Sequence, residues 1–409
     1  MKIVIIGCGG QGGLLGCMLA KEKEIEQVIL TDMDAHRAEK IEEAIKDIGT
    51  NAEIKTAQLD ASKSEDIVRI SRGVDVIVNA TFPEFNIPVM EACLSVGAHY
   101  LDLLAYPFKL SGIPEQGTLD AQLELDDRFK DAELTALVCM GASPGWTDIA
   151  ARYIIDQLDT VDKLIVRMSG RYDSKELIAP FAAEVLMGEW FGAPYPICVD
   201  NGEVKEVDLL ESAEPYQFPE PLGEVTVYTV TLHTEVRSIP QFVGKPIRYL
   251  EVKNGVDIGK WPMKDVWVEA IRKQTSEHPD SEMIRMTQMF GRSFIQPADT
   301  KDAYEKGIIT GGRCGFSVEV TGQKNGGEVR HTVCRVVTNV DAQKHVPWAG
   351  DGSYVTIIPS LVTILMLGNR EITKRGVIGG AALENPQKIM QRINEYGGIT
   401  VEKIERPLF

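Results

Sequence analysis

"MKIVIIGCGGQGGLLGCMLA", residues 1–20, decides the fold of this 409-residue chain. "KIVII", residues 2–6, is a continuous apolar run rich in β-branched residues, the pattern of a parallel strand covered on both faces. Gly7, Gly9 and Gly12 then form GxGxxG, with Gly10 and Gln11 inside the loop. "LLGCMLAKE", residues 14–22, continues as a helix. The first glycine permits a tight turn, the second lets the backbone approach a pyrophosphate, and the third lets helix and strand pack closely. The phosphates would lie at the helix N-terminus, where unpaired amides and the helix dipole favour anions. The strand–loop–helix setting is what gives so short a motif its weight.

Working outward, "EQVILTDMD", residues 26–34, is a second strand ending in acid. Asp32 lies 20 residues beyond Gly12, where a carboxylate hydrogen-bonds the ribose hydroxyls of an adenosine and repels a 2'-phosphate. NAD is therefore the expected cofactor. Arg37, on the next turn, would accept a 2'-phosphate or else pair with Asp34, which leaves NADP open. Residues 35–48 form an amphipathic helix, and 52–60 and 74–80 the third and fourth strands. Asp60 is placed to reach the adenine edge. Asn79, Ala80 and Thr81, in "NATFP", would pass beside the cofactor at the carboxyl edge of the sheet, unless these are ordinary polar strand ends. "HYLDLL" (99–104) and "LTALVCMG" (134–141) add two more strands. Strand and helix alternate over residues 1–150, which predicts an α/β domain with a doubly wound parallel sheet of the Rossmann kind.

After about residue 160 the pattern changes. "DKLIVRMSGRY" (162–172), "EVTVYTVTLHTEV" (224–236), "IRYLEV" (247–252), "GFSVEVTG" (315–322) and "VRHTVCRVV" (329–337) read as strands. "VDNGEV" and "GQKNGGEV" signal hairpin turns. Residues 151–350 are expected to form a second α+β domain on a largely antiparallel sheet, for substrate binding and oligomerisation. Residues 351–409 return to helix and are expected to pack back on the first domain. "YVTIIPSLVTILMLG", 354–368, is shorter than a bilayer span and carries Pro359, so a buried helix is expected and no membrane partner.

The bulk numbers narrow the function. The formal net charge of -17 argues against nucleic acid as the main partner. Only four strongly apolar residues follow Lys2 before the glycines, too few for a signal peptide, and a cytoplasmic protein is expected. The seven cysteines include no CxxC pair and are expected to be reduced and buried. The six histidines show no HxxxH pattern near them, so no metal site is expected.

"VDVIVNATFPEFNIPVMEACLSVGAHYLDL" (74–103) and "GASPGWTDIAARYIIDQLDTVDKL" (141–164) resemble the saccharopine dehydrogenase-like superfamily. "RSIPQF" (237–242), "KPIRYLE" (245–251) and "ITKRGV" (372–377) resemble its lysine 6-dehydrogenase and saccharopine reductase members. The resemblance implies NAD(P)-dependent hydride transfer at a carbon bearing nitrogen, on a small amino acid or amine held between two domains, in a homodimer. The reaction is a dehydrogenation of the amine; the alternatives are a reductase that condenses an amine with a 2-oxo acid or aldehyde, as in saccharopine or carboxynorspermidine formation, and a non-catalytic NAD-binding protein. Ser143, Pro144 and Gly145 precede a helix whose amides would be open to a substrate carboxylate. Trp146, larger than the family pattern, would narrow that pocket. Asp102 would orient the amine or hold a water, or cap the next loop. Tyr106, in "LLAYPF", stands where the family loop is richer in glycine. Arg237, or else Lys245 or Arg248, would clamp a carboxylate, unless they are surface charges. His233 and His345 are the candidate proton carriers. Lys374 and Arg375 are expected as a cation pair at a helix C-terminus.

Overall fold

The computed structural model describes residues 1–109, 114–176, 178–179, 196–208, 211–230, 233–257 and 299–406. The first part of the chain runs β1 (Lys2–Ile6), α1 (Gly10–Leu19), β2 (Gln27–Asp32), α2 (Ala35–Ile48), β3 (Glu53–Gln58), α3 (Ser64–Ile70), β4 (Val76–Asn79), α4 (Asn86–Val96), β5 (His99–Asp102), α5 (Leu119–Leu123), α6 (Asp126–Asp131), β6 (Thr135–Leu137) and α7 (Trp146–Ile155). The second part runs β7 (Thr160–Ser174), β8 (Ile197–Asp200), β9 (Glu203–Glu206), β10 (Glu214–Gln217), β11 (Glu224–Thr229), α8 (Glu235–Val243), β12 (Ile247–Asp257), α9 (Thr300–Glu305), β13 (Ile309–Lys324) and β14 (Gly327–Thr338). It ends with α10 (Asn339–Gln343), α11 (Asp351–Gly368), β15 (Gly376–Ile378), α12 (Pro386–Glu395) and β16 (Ile399–Glu405).

The first sheet has the order β3-β2-β1-β4-β5-β6-β15, and its pairings are all parallel. Val4, Ile5, Val76, Ile77 and Leu101 are fully buried, because helices cover both faces. The order reverses between β1 and β4, and the carboxyl ends there open a crevice, the position at which such sheets take ligands. The second sheet runs β10-β11-β12-β7-β13-β14-β16, with β8 on β12 and β9 on β8. It is antiparallel except where β12 lies parallel to β7. Asn201-Gly202 and Asn325-Gly326 turn the two predicted hairpins with φ of 53°, 80°, 51° and 77°.

Helix α11 packs on α1 and on β13. It is long and apolar enough to cross a membrane, yet 72% of it is buried inside the fold. Tyr354, Ile357, Leu361 and Ile364 have no exposure at all. Each buried side chain of this size contributes roughly 1.5–3 kcal/mol, so α11 is a core helix that joins both sheets.

The structure corrects three local expectations. The strand expected over 224–236 stops at Thr229, and helix α8 begins at Glu235; residues 231–232 lie outside the described residues. The C-terminal segment is not only helical: β15 completes the first sheet and β16 the edge of the second. Lys374 and Arg375 therefore lead into a strand and cap no helix. The Lys374 carbonyl accepts the Thr135 hydroxyl at 2.8 Å, and the Arg375 guanidinium donates to Thr135 Oγ1 at 3.1 Å. All seven cysteines are buried free thiols.

Candidate active site

A cleft of about 570 Å³ starts at the glycine loop and ends against the second sheet. Its first half is lined by Gly7, Gly9, Gln11, Asp32, Arg37 and Asp60, and by Ala80, Thr81 and Phe82. Gly7 has φ +97°. A Cβ on Gly12 would sit 1.9 Å from the Gly7 carbonyl oxygen, so helix and strand meet there as the motif requires. A Cβ on Gly9 would meet nothing within 4 Å, because that face of the loop opens into the cleft. Asp32 is anchored at the end of β2: Oδ2 accepts the Cys8 amide at 2.8 Å and Oδ1 the Asp34 amide at 2.9 Å. Asp60 accepts the amide and hydroxyl of Ser62, bonds that lower its carboxyl below the ordinary range. An open glycine loop ending at an anchored, cleft-facing carboxylate fits a nicotinamide dinucleotide. Gly10 and Gly12 shape the loop from outside the cleft. Asn79 also stands behind it: its Oδ1 accepts the Thr81 amide at 3.1 Å and its Nδ2 donates to Asn86 at 2.8 Å, which fixes the loop carrying Thr81.

The second half is lined by Ser143, Met168, Ser169, Tyr172, His233, Asn254, Cys314 and Phe316. Here the fold assembles a group that sequence spacing did not reveal. Glu235, fully buried at the start of α8, receives the hydroxyls of Ser143 and Thr147, the latter at 3.0 Å, and lies 3.3 Å from His233 Nδ1. Burial works against its charge, but the His233 imidazole and the Ser143 hydroxyl outweigh that and hold the carboxyl below its ordinary range. Asp148 sits behind it, also fully buried, accepting Ser238 Oγ at 2.5 Å and the Gly145 amide at 3.1 Å. Burial, and then the neighbouring Glu235 charge, push Asp148 up to about 7. One carboxylate is thus kept charged beside a histidine, and its neighbour is kept near neutral. Such a pairing sets apart acid and base roles.

The remaining expected residues fall elsewhere. Asp102 is buried behind the cleft wall, where it accepts the Cys139 amide at 2.7 Å and Gln122 Nε2 at 2.5 Å. Burial pushes its carboxyl up to about 6. It ties β5 to the turn after β6 and touches no cleft space, so the capping alternative is the one the geometry favours. Tyr106 is off the cleft wall, and its backbone pairs with Thr118 and Gly117. The amides at the start of α7 are not open to a carboxylate. Those of Gly145, Trp146 and Thr147 donate to Asp148, Gly141 and Ala142. Pro144 and Gly145 build this turn from outside the cleft, and Trp146 is a core residue beside Phe316, ring centroids 6.4 Å apart. Arg237 points away from the cleft on α8, paired with Asp120 at 2.8 Å and Gln241 at 2.7 Å. Lys245 Nζ caps α7 through the Ile155 and Leu158 carbonyls at 2.9 and 2.6 Å. Arg248 lies on β12 outside the cleft. His345 stacks on Tyr354 at 5.6 Å, away from the site. Among the described residues Arg37 is the only lysine or arginine lining the cleft.

A parallel dinucleotide-binding sheet, a second, mostly antiparallel sheet and a cleft lined by both define an NAD(P)-binding fold of the saccharopine dehydrogenase kind. Residues 3–137 match the family model of the saccharopine dehydrogenase NADP binding domain. The fold as a whole is that of saccharopine dehydrogenase. The L-Glu-forming enzyme from Saccharomyces cerevisiae has a TM-score of 0.66 at 13% identity, covering 99% of each chain. The homospermidine synthase from Legionella pneumophila, in complex with NAD, has a TM-score of 0.65 at 12% identity, covering 99% of this chain and 91% of that one. Carboxynorspermidine synthase from Vibrio cholerae is 26% identical over 97% of this chain and 95% of its own. Carboxyaminopropylagmatine dehydrogenase from Synechocystis is 30% identical over 39% of this chain and 41% of its own.

Proposed function

We propose that the protein is an NAD(P)-dependent oxidoreductase that joins an amine to a carboxylated carbonyl compound by reducing the imine between them. The observation that carries this reading is the composition of the cleft beyond the glycine loop. It presents His233 backed by Glu235 and, among the described residues, no lysine or arginine. Such a surface admits a cationic amine without repulsion. The near-full-length similarity to a carboxynorspermidine synthase supports the same substrate class. Amine and carbonyl first give a carbinolamine. Loss of water from it needs a general acid. Glu235 holds His233 through Nδ1, and the His233 imidazole, which lines the cleft, is the group assigned to deliver that proton to the departing hydroxyl. The side chains of Phe316 and Met168 bound this space and limit competing water. A bound reduced nicotinamide supplies the hydride that turns the imine carbon into that of a secondary amine.

The second reading, dehydrogenation of an amino acid or amine alone, shares the same cleft and the same histidine. A nicotinamide absorbance assay separates the two. Diaminopropane, putrescine, agmatine and lysine are offered with and without carboxylated aldehydes or 2-oxo acids. Oxidation of NADH or NADPH only when both partners are present is the expected result. Reduction of NAD(P) with an amine alone would replace this reading by the second.

A further inference from the structure

One face of the second sheet meets α7 and the cleft. On it, Met168 of β7 stands between Phe316 of β13 and Asn254 of β12 in the strand register. Phe316 packs beside Trp146 of α7, which marks this face as the inner one. The next residue along β12, Gly255, faces outward, since a Cβ there would meet Val225 and Val227. The Asn254 carboxamide is thus aimed inward, at a cleft-lining position, and the residue is only 7% exposed. Among the described residues nothing hydrogen-bonds that carboxamide. Native structures seldom leave a buried amide in this state. Gly170 and then Tyr172 follow Met168 on the same face of β7, and both line the cleft. A Cβ on Gly170 would sit 3.3 Å from the Tyr172 hydroxyl, so the phenol leans back over the gap at Gly170, toward Met168. That hydroxyl also has no hydrogen-bond partner among the described residues. Burial, the largest influence, pushes it well above the ordinary range and keeps it an O–H donor.

We infer that Asn254 and Tyr172 hold the substrate's carboxylate through neutral hydrogen bonds, an inference that rests on the amine–carbonyl reading above. The Asn254 amide donates through Nδ2 and the phenol through its O–H, and a carboxylate accepts both. Hydrogen bonds to an ionised acceptor are the strong kind. Neutral donors also suit the other substrate. A lysine or arginine here would grip the carboxylate but repel the cationic amine that must reach the same half of the cleft. The acid beside Tyr172, Asp351, is pushed up to about 7 by burial, so at lower pH it opposes an anion with little charge. The carboxylate is thus fixed on the floor of the second sheet, and the carbonyl carbon is left for chemistry near His233.

The test compares lysine with cadaverine, the same diamine without the carboxylate, by titration calorimetry with NADH bound so that neither is oxidised. It is run at about pH 6, below the range in which Asp351 ionises. The unmodified protein should bind lysine at least ~10-fold more tightly, as hydrogen bonds to a charged group require. Tyr172→Phe and Asn254→Ala should each lower that preference at least ~3-fold, with NADH affinity changed by less than about twofold. Asn254→Asp keeps the shape and reverses the demand, so lysine binding should weaken while cadaverine binding does not. Equal binding of lysine and cadaverine by the unmodified protein overturns the inference, and this result needs no variant that might misfold. A preference that survives in folded Tyr172→Phe and Asn254→Ala, or tighter lysine binding by Asn254→Asp, overturns it as well. Binding is read without turnover. A lysine preference that depends on Asn254, in a protein that condenses no amine with a carbonyl compound, would retire the amine-condensing reading and keep the carboxylate subsite. Two-substrate turnover with the Michaelis constant of the carbonyl partner unmoved by Asn254→Ala would do the reverse.

Discussion

Gly9 is the residue at which the cofactor's demand can be isolated. Its missing side chain opposes no protein atom within 4 Å, so a larger residue collides only with a ligand. Gly9→Val should abolish dinucleotide binding, seen as loss of the NADH fluorescence change, while the thermal midpoint moves by no more than about 2–4 °C, equivalent to about 1 kcal/mol in a chain of this size. Near-normal binding would move the phosphates away from this loop. Arg237 calls for the opposite expectation. Its guanidinium is spent on Asp120 and Gln241 outside the cleft. Arg237→Ala should leave the Michaelis constants of both substrates within about twofold and cost at most about 1 kcal/mol, the worth of an exposed ion pair. A large rise in either constant would bring the carboxylate clamp back.

At the scale of elements, the glycine loop works because α1 is pressed against β1 and β4. The contact is tight at Gly12, where a Cβ would approach the Gly7 carbonyl oxygen to 1.9 Å and the Ala80 side chain to 2.8 Å. Neither can yield without moving the strand end or the loop. Gly12→Ala should therefore destabilise the protein by about 1–3 kcal/mol in urea denaturation, the usual cost of overpacking, and weaken NADH binding with it. Unchanged stability would mean that α1 is free to shift. Helices α7 and α8 show a different kind of junction. Ser143, Thr147 and Ser238 place hydroxyls on two buried carboxylates, so the elements meet through hydrogen bonds as well as through the apolar core that Ile149, Val236 and Ile239 share. Leaving one such bond unmade in the interior would cost the remaining group its desolvation.

The molecule as a whole carries several carboxyls that burial holds above their ordinary range, and Asp148 lies where α7 meets α8. An unfolded aspartate ionises near pH 3.9, whereas folded Asp148 does so at about 7. The folded state thus binds a proton more tightly. The resulting stabilisation is complete below about pH 4 and is lost as pH rises through 7. Asp148→Asn removes this titration while preserving shape. Its thermal midpoint, measured against the parent from pH 5 to 8, should gain on the parent as pH rises. A constant difference across that window would show that Asp148 is ionised throughout. Glu235, whose carboxyl is lowered, contributes in the opposite direction, with stability lost on acidification.

Residues 1–137 were legible as a sequence because their signals are local. Period-2 and period-3.6 apolar patterns, a glycine loop beginning at Gly7 and an acid at Asp32 each depend on neighbours along the chain. The hairpins at Asn201-Gly202 and Asn325-Gly326 were legible for the same reason. His233 and Ser143 could be singled out, but not their meeting point. Glu235 lies 92 residues from Ser143 and 88 from Thr147, and nothing in a linear pattern marks that convergence. Arg237 looked like an anchor because an arginine near a matched motif carries no sign of which way its helix turns it. β15 pairs with β6 from far along the chain: Lys374, just before it, lies 239 residues after Thr135, whose hydroxyl meets the Lys374 carbonyl. Local periodicity and backbone sterics determined the cofactor loop and the succession of strands and helices along the chain up to β6. Packing of distant segments alone decided which carboxylates are buried, which histidine faces the cleft, and which arginine faces away.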